Sequence, residues 1–378
     1  MKAFVKPIYI TRPIFPKLAD FNKKLEDIWH SKILSNYGIQ AKTLENKLKK
    51  VLKSNNLHIF NNGTIALLIG IRSLHLKGEV ITTPFTFPAT VNCLIWNNLT
   101  PVFCDIDPNT MNIDVDKIEL LITSKTSAIL AVHVFGSPCD VEKIQKIADK
   151  YKLKVIYDAA HAFETEINHK SIASYGDLTM FSFHPTKLFH TGEGGALVFK
   201  DANIGFESKM LGNFGIKNEE EVTVCGINGK INEMQSALGL LVLECRNKER
   251  ARRKLIKGIY QKMLADVKGI SFVRVDKKET KSSYQYLTIR IDENEFGRSR
   301  DFVYKEFKKY NVFTRKYFYP LCSDYPFCKN FKSAKKENLP VANKVVNEIL
   351  AMPFYGNLKI SDVKKICKIL ISFRKINL

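Results

Sequence analysis

Between about residues 57 and 200, short apolar runs alternate with stretches whose apolar residues recur at threes and fours. Short apolar runs bounded by turn residues read as buried strands, and the three-to-four spacing reads as amphipathic helix. Leu57–Phe60 reads as a strand, followed by Asn61-Asn-Gly-Thr64 and a helix over Ile65–Leu74. Glu79–Thr83, Pro101–Asp105, Ala128–Phe135 and Lys154–Tyr157 read as further strands, with a helix over Ala89–Asn97. Asp140 is placed to cap a helix in which Val141, Ile144, Ile147, Ala148 and Tyr151 form one stripe. Alternation of this kind predicts an α/β unit with a mostly parallel sheet.

In such sheets ligands bind outside the carboxyl ends of the strands. Asn62-Gly-Thr64, Thr86-Phe87, Asp158 and the segment after Phe181 all fall there, so four strand ends are expected to converge on one crevice. Past about residue 230 the texture changes. A long helix is expected from Ile231 to about Val267, then strand-like pieces at Ser271–Val275 and Tyr284–Ile291, a helix near Arg300–Lys309 and a final helix after Ser361. The expected division is a large unit over 1–245 and a smaller C-terminal α+β unit over 246–378.

Composition narrows this little. The chain of 378 residues is 45% hydrophobic and 26% charged, as globular proteins are. No apolar run approaches the roughly 18 residues that cross a bilayer, and the first residues carry prolines and lysines where a secretory signal needs an apolar stretch. The eight cysteines are scattered and lack the pairing of a metal or redox motif. A cytoplasmic protein with no metal site and no membrane insertion is expected. The formal charge of +21 is spread from end to end. Its densest stretches, Arg246–Lys257 and Lys364–Lys375, interleave apolar residues at helical spacing, which reads as solvated helix faces and not as a nucleic-acid surface.

Three elements could carry chemistry. Lys187 follows the apolar run Leu178–Phe183 and precedes a turn with glycines at 192, 194 and 195. A buried lysine can act as a nucleophile, although a surface charge has the same local pattern. Asp158 ends an apolar strand, where it either caps the next segment or pairs with a buried cation. His161 follows three residues later, as a ligand-facing or a core histidine. Gly63-Thr64 opens a helix, which suits a phosphate or an ordinary turn.

Taken in order, longer segments add to these. They are Asn62-Gly-Thr-Ile-Ala-Leu67, Thr83-Pro-Phe-Thr-Phe-Pro-Ala-Thr90, Pro101-Val-Phe-Cys-Asp-Ile-Asp107, His133-Val-Phe-Gly136, Asp158-Ala-Ala-His161, Ser182-Phe-His-Pro-Thr-Lys187, Gly192-Glu-Gly-Gly195 and Gly226–Met234. Thr314–Pro320 and Met352-Pro-Phe-Tyr355 extend the series. Together they resemble the DegT-type nucleotide-sugar aminotransferases among the fold-type-I pyridoxal-phosphate enzymes, over nearly the whole chain. The resemblance implies a mixed, mostly parallel sheet flanked by helices, pyridoxal 5'-phosphate as cofactor, and catalytic Lys187 and Asp158. Lys187 would bind the cofactor covalently and shuttle the proton, while Asp158 would hold the pyridine nitrogen protonated. His161 would sit beside the ring hydroxyl, Phe87 would stack on the ring, and Gly63, Thr64 and Ser182 would bind the phosphate.

Asn228 would reach that phosphate from a second subunit, which implies a homodimer. The implied partners are L-glutamate and a nucleotide-diphospho keto-sugar, with dTDP-4-keto-6-deoxyglucose aminated at C4 as the specific expectation. Arg315 and Lys316 are candidates for its diphosphate, with His184 and Tyr317 as further substrate-side residues. Relatives that replace the lysine with histidine are dehydratases, and a silent regulatory relative would lack Lys187 or Asp158; both residues are present here. Phe163-Glu-Thr-Glu166 departs from the small or apolar residues common after the histidine, and Glu164 and Glu166 are expected at the crevice rim.

Overall fold

A computed structural model describes residues 1–273 and 278–375. Seven strands form the main sheet: β1 (Leu57–Phe60), β2 (Glu79–Thr82), β3 (Thr100–Phe103), β4 (Thr126–Val132), β5 (Lys154–Asp158), β6 (Leu178–Ser182) and β7 (Gly195–Phe199). Their order is β1-β7-β6-β5-β4-β2-β3. β7 runs antiparallel to both its neighbours, and β6, β5, β4, β2 and β3 are mutually parallel.

Both faces of this sheet are buried, which is why its strands read as nearly continuous apolar runs. Along β4, Ala128, Leu130 and Val132 pack into one core with Leu67, Val91 and Met180. Ile129 and Ala131 point the other way, into a core with Ile144, Ala148 and Leu240. Helices start where sequence chemistry places them. Asn62 accepts the Ile65 N–H at 2.8 Å to cap α3 (Gly63–Ser73), and Asp140 accepts the Lys143 N–H at 3.1 Å to cap α5 (Val141–Tyr151). Between them, α4 (Pro88–Trp96) opens with a proline in its first turn, where no N–H is missed. Asn232 and Gln235 form a reciprocal capping box on the long helix α7 (Glu233–Leu264), which follows α6 (Ala202–Leu211).

Position 246 therefore falls inside one continuous helix. Beyond α7, strands β8 (Ile270–Phe272), β9 (Leu287–Ile291) and β10 (Ile349–Met352) form an antiparallel sheet in the order β8-β9-β10. Its core joins Ile256 and Tyr260 of α7 to Ile289, Ile291 and Ile366. The end of the Ser271–Val275 strand expectation, residues 274 and 275, lies outside the described residues.

Three sequence expectations change. The strand expected over Ala128–Phe135 stops at Val132 and gives way to a tight turn in which Phe135 is left-handed, φ 54°. The strand expected from Tyr284 begins at Leu287, leaving Ser283–Tyr286 as irregular chain free to turn side chains inward. Nor is Arg246–Lys257 simply a solvated face. Lys248 and Lys254 are exposed, but Arg246, Arg250 and Arg253 each pair with a buried or largely buried carboxylate. Lastly, among the described residues no helix is long and apolar enough to cross a membrane.

Candidate active site

Asp158 is the last residue of β5 and is only 4% exposed. Thr90, in the first turn of α4, donates its hydroxyl to Asp158 Oδ2 at 2.7 Å, and the Ala160 N–H reaches Oδ1 at 3.0 Å. Since Thr90 spends its one proton on the carboxylate, the 2.8 Å contact with Thr86 has Thr86 donating to Thr90. Burial raises the Asp158 carboxyl above its ordinary pKa, against the Ala160 and Thr90 hydrogen bonds and the nearby Lys187 charge. A cation or a protonated ring nitrogen facing this carboxylate would relieve that cost.

His161 lies on the turn after β5, buried, and its Nδ1 has no hydrogen-bond partner among the described residues. Its ring is parallel to those of Phe135 and Phe318 at centroid separations of 6.2 and 6.1 Å, and Tyr286 meets it edge-on at 4.9 Å. Burial, and then the Lys187 charge, push the imidazole well below its ordinary pKa, so it is neutral at physiological pH. Gly136 makes this packing possible. At φ +92°, a Cβ there would collide with the His161 carbonyl oxygen and the Ser283 hydroxyl.

Lys187 sits on the loop between β6 and β7, partly buried, with Nζ 5.8 Å from the centre of the Tyr286 ring. Tyr286 and Tyr317 are buried with ring centroids 4.7 Å apart. Burial raises the Tyr286 hydroxyl, but the Lys187 charge and the hydrogen bonds with Tyr317, Thr186 and Gln285 bring it below its ordinary value. Burial pushes Tyr317 the other way, above its ordinary value.

Gly63 begins α3, and a Cβ on it would lie 2.9 Å from Ser182 Cβ. Glycine alone lets this helix start press against the end of β6, beside Ser182. The Gly63 and Thr64 N–H groups, in the first turn, have no acceptor within the helix. Phe87 stands between Thr86 and Thr90 and is 51% exposed, available to cover a flat ligand.

The remaining expected residues divide. His184 is exposed, 2.9 Å from the Thr186 hydroxyl and 3.7 Å from Glu193. Partial burial depresses its pKa; Glu193 opposes this, while the Lys187 and Arg315 charges add to it. Arg315 is exposed, with its guanidinium 5.1 Å from the Tyr317 ring centre. Thus His184, Lys187, Arg315 and Tyr317 share one locality. Lys316 is engaged elsewhere: its ammonium binds Asp301 at 3.2 Å and lies over the Tyr304 and Tyr319 rings. Asn228 lies exposed on the loop before α7, its side-chain Oδ1 accepting the Lys230 N–H at 3.4 Å.

The model of the DegT/DnrJ/EryC1/StrS aminotransferase family matches residues 17–371. The chain belongs to this family. It is 44% identical to dTDP-4-amino-4,6-dideoxy-D-glucose transaminase of Escherichia coli, over 97% of this chain and 98% of that one. It is 41% identical to the enzyme of the same name from Shigella dysenteriae, over 95% and 96%. Among solved structures it superposes with TM-score 0.93 and 31% identity on DesI in the presence of its TDP-sugar product, covering 98% of this chain and 94% of that one. This aminotransferase therefore has the fold-type-I architecture of pyridoxal-phosphate enzymes.

The residues present fit that cofactor. Asp158 offers a buried carboxylate, His161 an unpartnered buried nitrogen, Phe87 a free ring face, and Gly63, Thr64 and Ser182 a set of donors without a Cβ in the way. Sequence reasoning missed Thr90, Gln285, Tyr286 and the aromatic wall of Phe135 and Phe318. The one local signal was Ser283-Tyr-Gln-Tyr286, polar and aromatic residues running directly into an apolar strand. Glu164, expected at the rim, is instead buried. It adopts φ +55° and is held by Arg246 at 3.0 Å, Arg250 at 2.5 Å and Lys281 at 3.0 Å.

Proposed function

We propose that this aminotransferase moves the amino group of L-glutamate to a dTDP-linked 4-keto-6-deoxyglucose, at C4. The observation that carries the chemistry is the position of Lys187, on a loop between buried Asp158 and the Tyr286–Tyr317 pair. Bound there, pyridoxal phosphate supplies an electron sink for the pair left when the donor's α-C–H bond breaks. Lys187 Nζ would hold the cofactor at rest and, once freed by the donor amine, would carry the proton from the donor's α-carbon to C4′ of the cofactor. Asp158 would stay anionic facing a pyridinium, helped by the hydrogen bonds from Thr90 and Ala160, and Thr90 would fix the orientation of its carboxylate. His161, neutral, would offer Nδ1 to the ring hydroxyl. Phe135, Phe318 and Tyr286 exclude water from that side.

Support for the sugar comes from the two relatives above 40% identity that carry the same transaminase name. Arg315 is the exposed cation next to Lys187 and His184, suited to a diphosphate; Lys316, tied to Asp301, is a weaker candidate. The same proposal includes a cytoplasmic homodimer in which Asn228 completes the phosphate site of a second copy. Favouring this, Phe214 and Ile227, on the two segments that meet beside Asn228, expose apolar surface. The test is a panel of keto-sugars with glutamate, following 2-oxoglutarate release and fixing the aminated carbon by NMR. Turnover of the dTDP-4-keto sugar with a new C4–N bond is expected. Turnover of a 3-keto isomer or a GDP-linked sugar in its place would replace the substrate assignment.

A further inference from the structure

Gln285 lies just before β9, in the C-terminal part of the chain, and is 2% exposed. Its side-chain amide donates to the Thr186 carbonyl at 2.7 Å and its carbonyl accepts the Leu188 N–H at 2.8 Å. Thr186 and Leu188 are the two neighbours of Lys187. One side chain therefore grips the peptide groups on both sides of the lysine, from a position about a hundred residues away in sequence.

The grip is itself held. Arg253, 1% exposed, donates to the main-chain carbonyls of Tyr284 and Gln285 at 3.3 Å each. Its other side binds Glu249 at 2.7 Å, and Glu249 in turn accepts the Gly356 N–H at 2.7 Å. Two residues before Gln285, Ser283 donates to the His161 carbonyl at 2.7 Å. One residue after it, Tyr286 packs edge-on against the His161 ring. The segment 283–286 thus fixes the Lys187 loop and the His161 turn relative to each other, anchored on α7.

A long lysine side chain on a glycine-flanked loop has many rotamers and backbone states, and only a few point Nζ at a bound ring. Fixing the flanking peptides removes backbone freedom before the cofactor arrives. A glutamine suits the task because it presents a donor and an acceptor at once, which neither a carboxylate nor an ammonium does.

We propose that Gln285 is a positioning residue that pre-sets Lys187 for bond formation with pyridoxal phosphate. The proposal rests on Lys187 being the cofactor lysine. It is tested by a double-mutant cycle on cofactor affinity, with Gln285→Ala, Gln285→Glu, Lys187→Ala and the double variant Gln285→Ala/Lys187→Ala. Pyridoxal phosphate is titrated into each purified apoprotein, and the apoprotein melting temperatures are recorded beside it.

Losing two buried hydrogen bonds that hold the lysine is expected to weaken cofactor binding about tenfold or more in Gln285→Ala. In the Lys187→Ala background the same substitution should change affinity less than twofold, because the residue it positions is gone. Gln285→Glu keeps the acceptor for Leu188 N–H but sets a carboxylate against the Thr186 carbonyl. Its cofactor affinity should therefore improve as pH falls and the acid becomes a donor, while that of the wild type should not follow the same curve.

A tenfold loss that persists unchanged in the Lys187→Ala background would show a structural role and overturn the proposal. So would unaltered affinity in Gln285→Ala. If Gln285→Ala does not fold, the pH curve of Gln285→Glu decides, and a curve parallel to the wild type overturns it. Failure of the underlying reading shows separately, as a Lys187→Ala protein that binds pyridoxal phosphate as tightly as the wild type.

Discussion

Thr90 and Asp158 meet at 2.7 Å, hydroxyl to carboxylate, from the first turn of α4 and the end of β5, 68 residues apart in sequence. Removing the hydroxyl leaves Asp158 with one fewer partner for its anionic form. Its carboxyl, already raised by burial, then rises further. Thr90→Val, which keeps the shape, is expected to weaken pyridoxal phosphate binding by about tenfold, equivalent to about 1–2 kcal/mol for one hydrogen bond to a charged group. Thr90→Ser should restore it. The check is a titration of pyridoxal phosphate at pH 7 into the wild type and both variants.

A methyl group on Gly63 would press against Ser182 Cβ. Gly63→Ala is expected to force α3 away from the end of β6, at a cost of about 1–3 kcal/mol for overpacking. The phosphate donors move with it. Inorganic phosphate should therefore compete less well for the apoprotein of this variant than for the wild type, as measured by protection against thermal unfolding.

Glu164 has a left-handed backbone and a buried carboxylate bound by Arg246, Arg250 and Lys281. The conformation costs about 1–2 kcal/mol for a residue other than glycine, and the ion pairs offset it. Burial raises this carboxyl, but Arg250, Lys281 and Arg246 together bring it below the ordinary 4.5. With the folded value depressed, the stabilisation is present above about pH 4.5 and is lost as pH falls through the folded pKa. Glu164→Gln should lower neutral-pH stability by about 3 kcal/mol, since it leaves buried guanidinium groups short of a counter-charge. The gap to the wild type should close below pH 4.5 in urea unfolding of the apoprotein.

His133 is fully buried, stacked on Tyr157 at 4.8 Å, and its Nδ1 accepts the Cys139 N–H at 3.0 Å. Burial holds its pKa down to about 3. A histidine whose folded pKa is depressed is neutral when folded and protonated when unfolded, so stability falls as pH drops below the unfolded value of about 6.5. Each such histidine contributes a slope of about 1.4 kcal/mol per pH unit. His161, also held neutral, acts in the same direction. Between pH 6 and 5, His133→Gln should reduce the wild-type slope of unfolding free energy by about one proton's worth. An unchanged slope would mean that His133 is protonated in the folded protein.

The fold was legible because its signals are local. The alternation along β4, the cap at Asn62 and the acid closing β5 each sit within a few residues of the element they define. Asp158, His161 and Lys187 could be picked out in or just after apolar strands, with a bland reading left open for each, while their roles and that of Ser182 came from the resemblance. Thr90, Gln285 and Tyr286 could not, since each acts through a partner that is remote in the chain. Arg246, Arg250 and Arg253 looked like a solvated helix face, because helical spacing shows that they share a side of α7 and says nothing of what covers it. The carboxylate that claims the first two comes from residue 164. Lys316 shows the converse: adjacent to Arg315 in sequence, it turns to Asp301.

The most direct test is the visible absorbance of the protein with pyridoxal phosphate, before and after L-glutamate, beside Lys187→Ala. A long-wavelength band of lysine-bound cofactor is expected in the wild type, lost in Lys187→Ala and replaced by the pyridoxamine form when glutamate is added. A folded wild-type protein that shows no such band, or keeps it unchanged in Lys187→Ala, would remove Lys187 from the chemistry assigned to it.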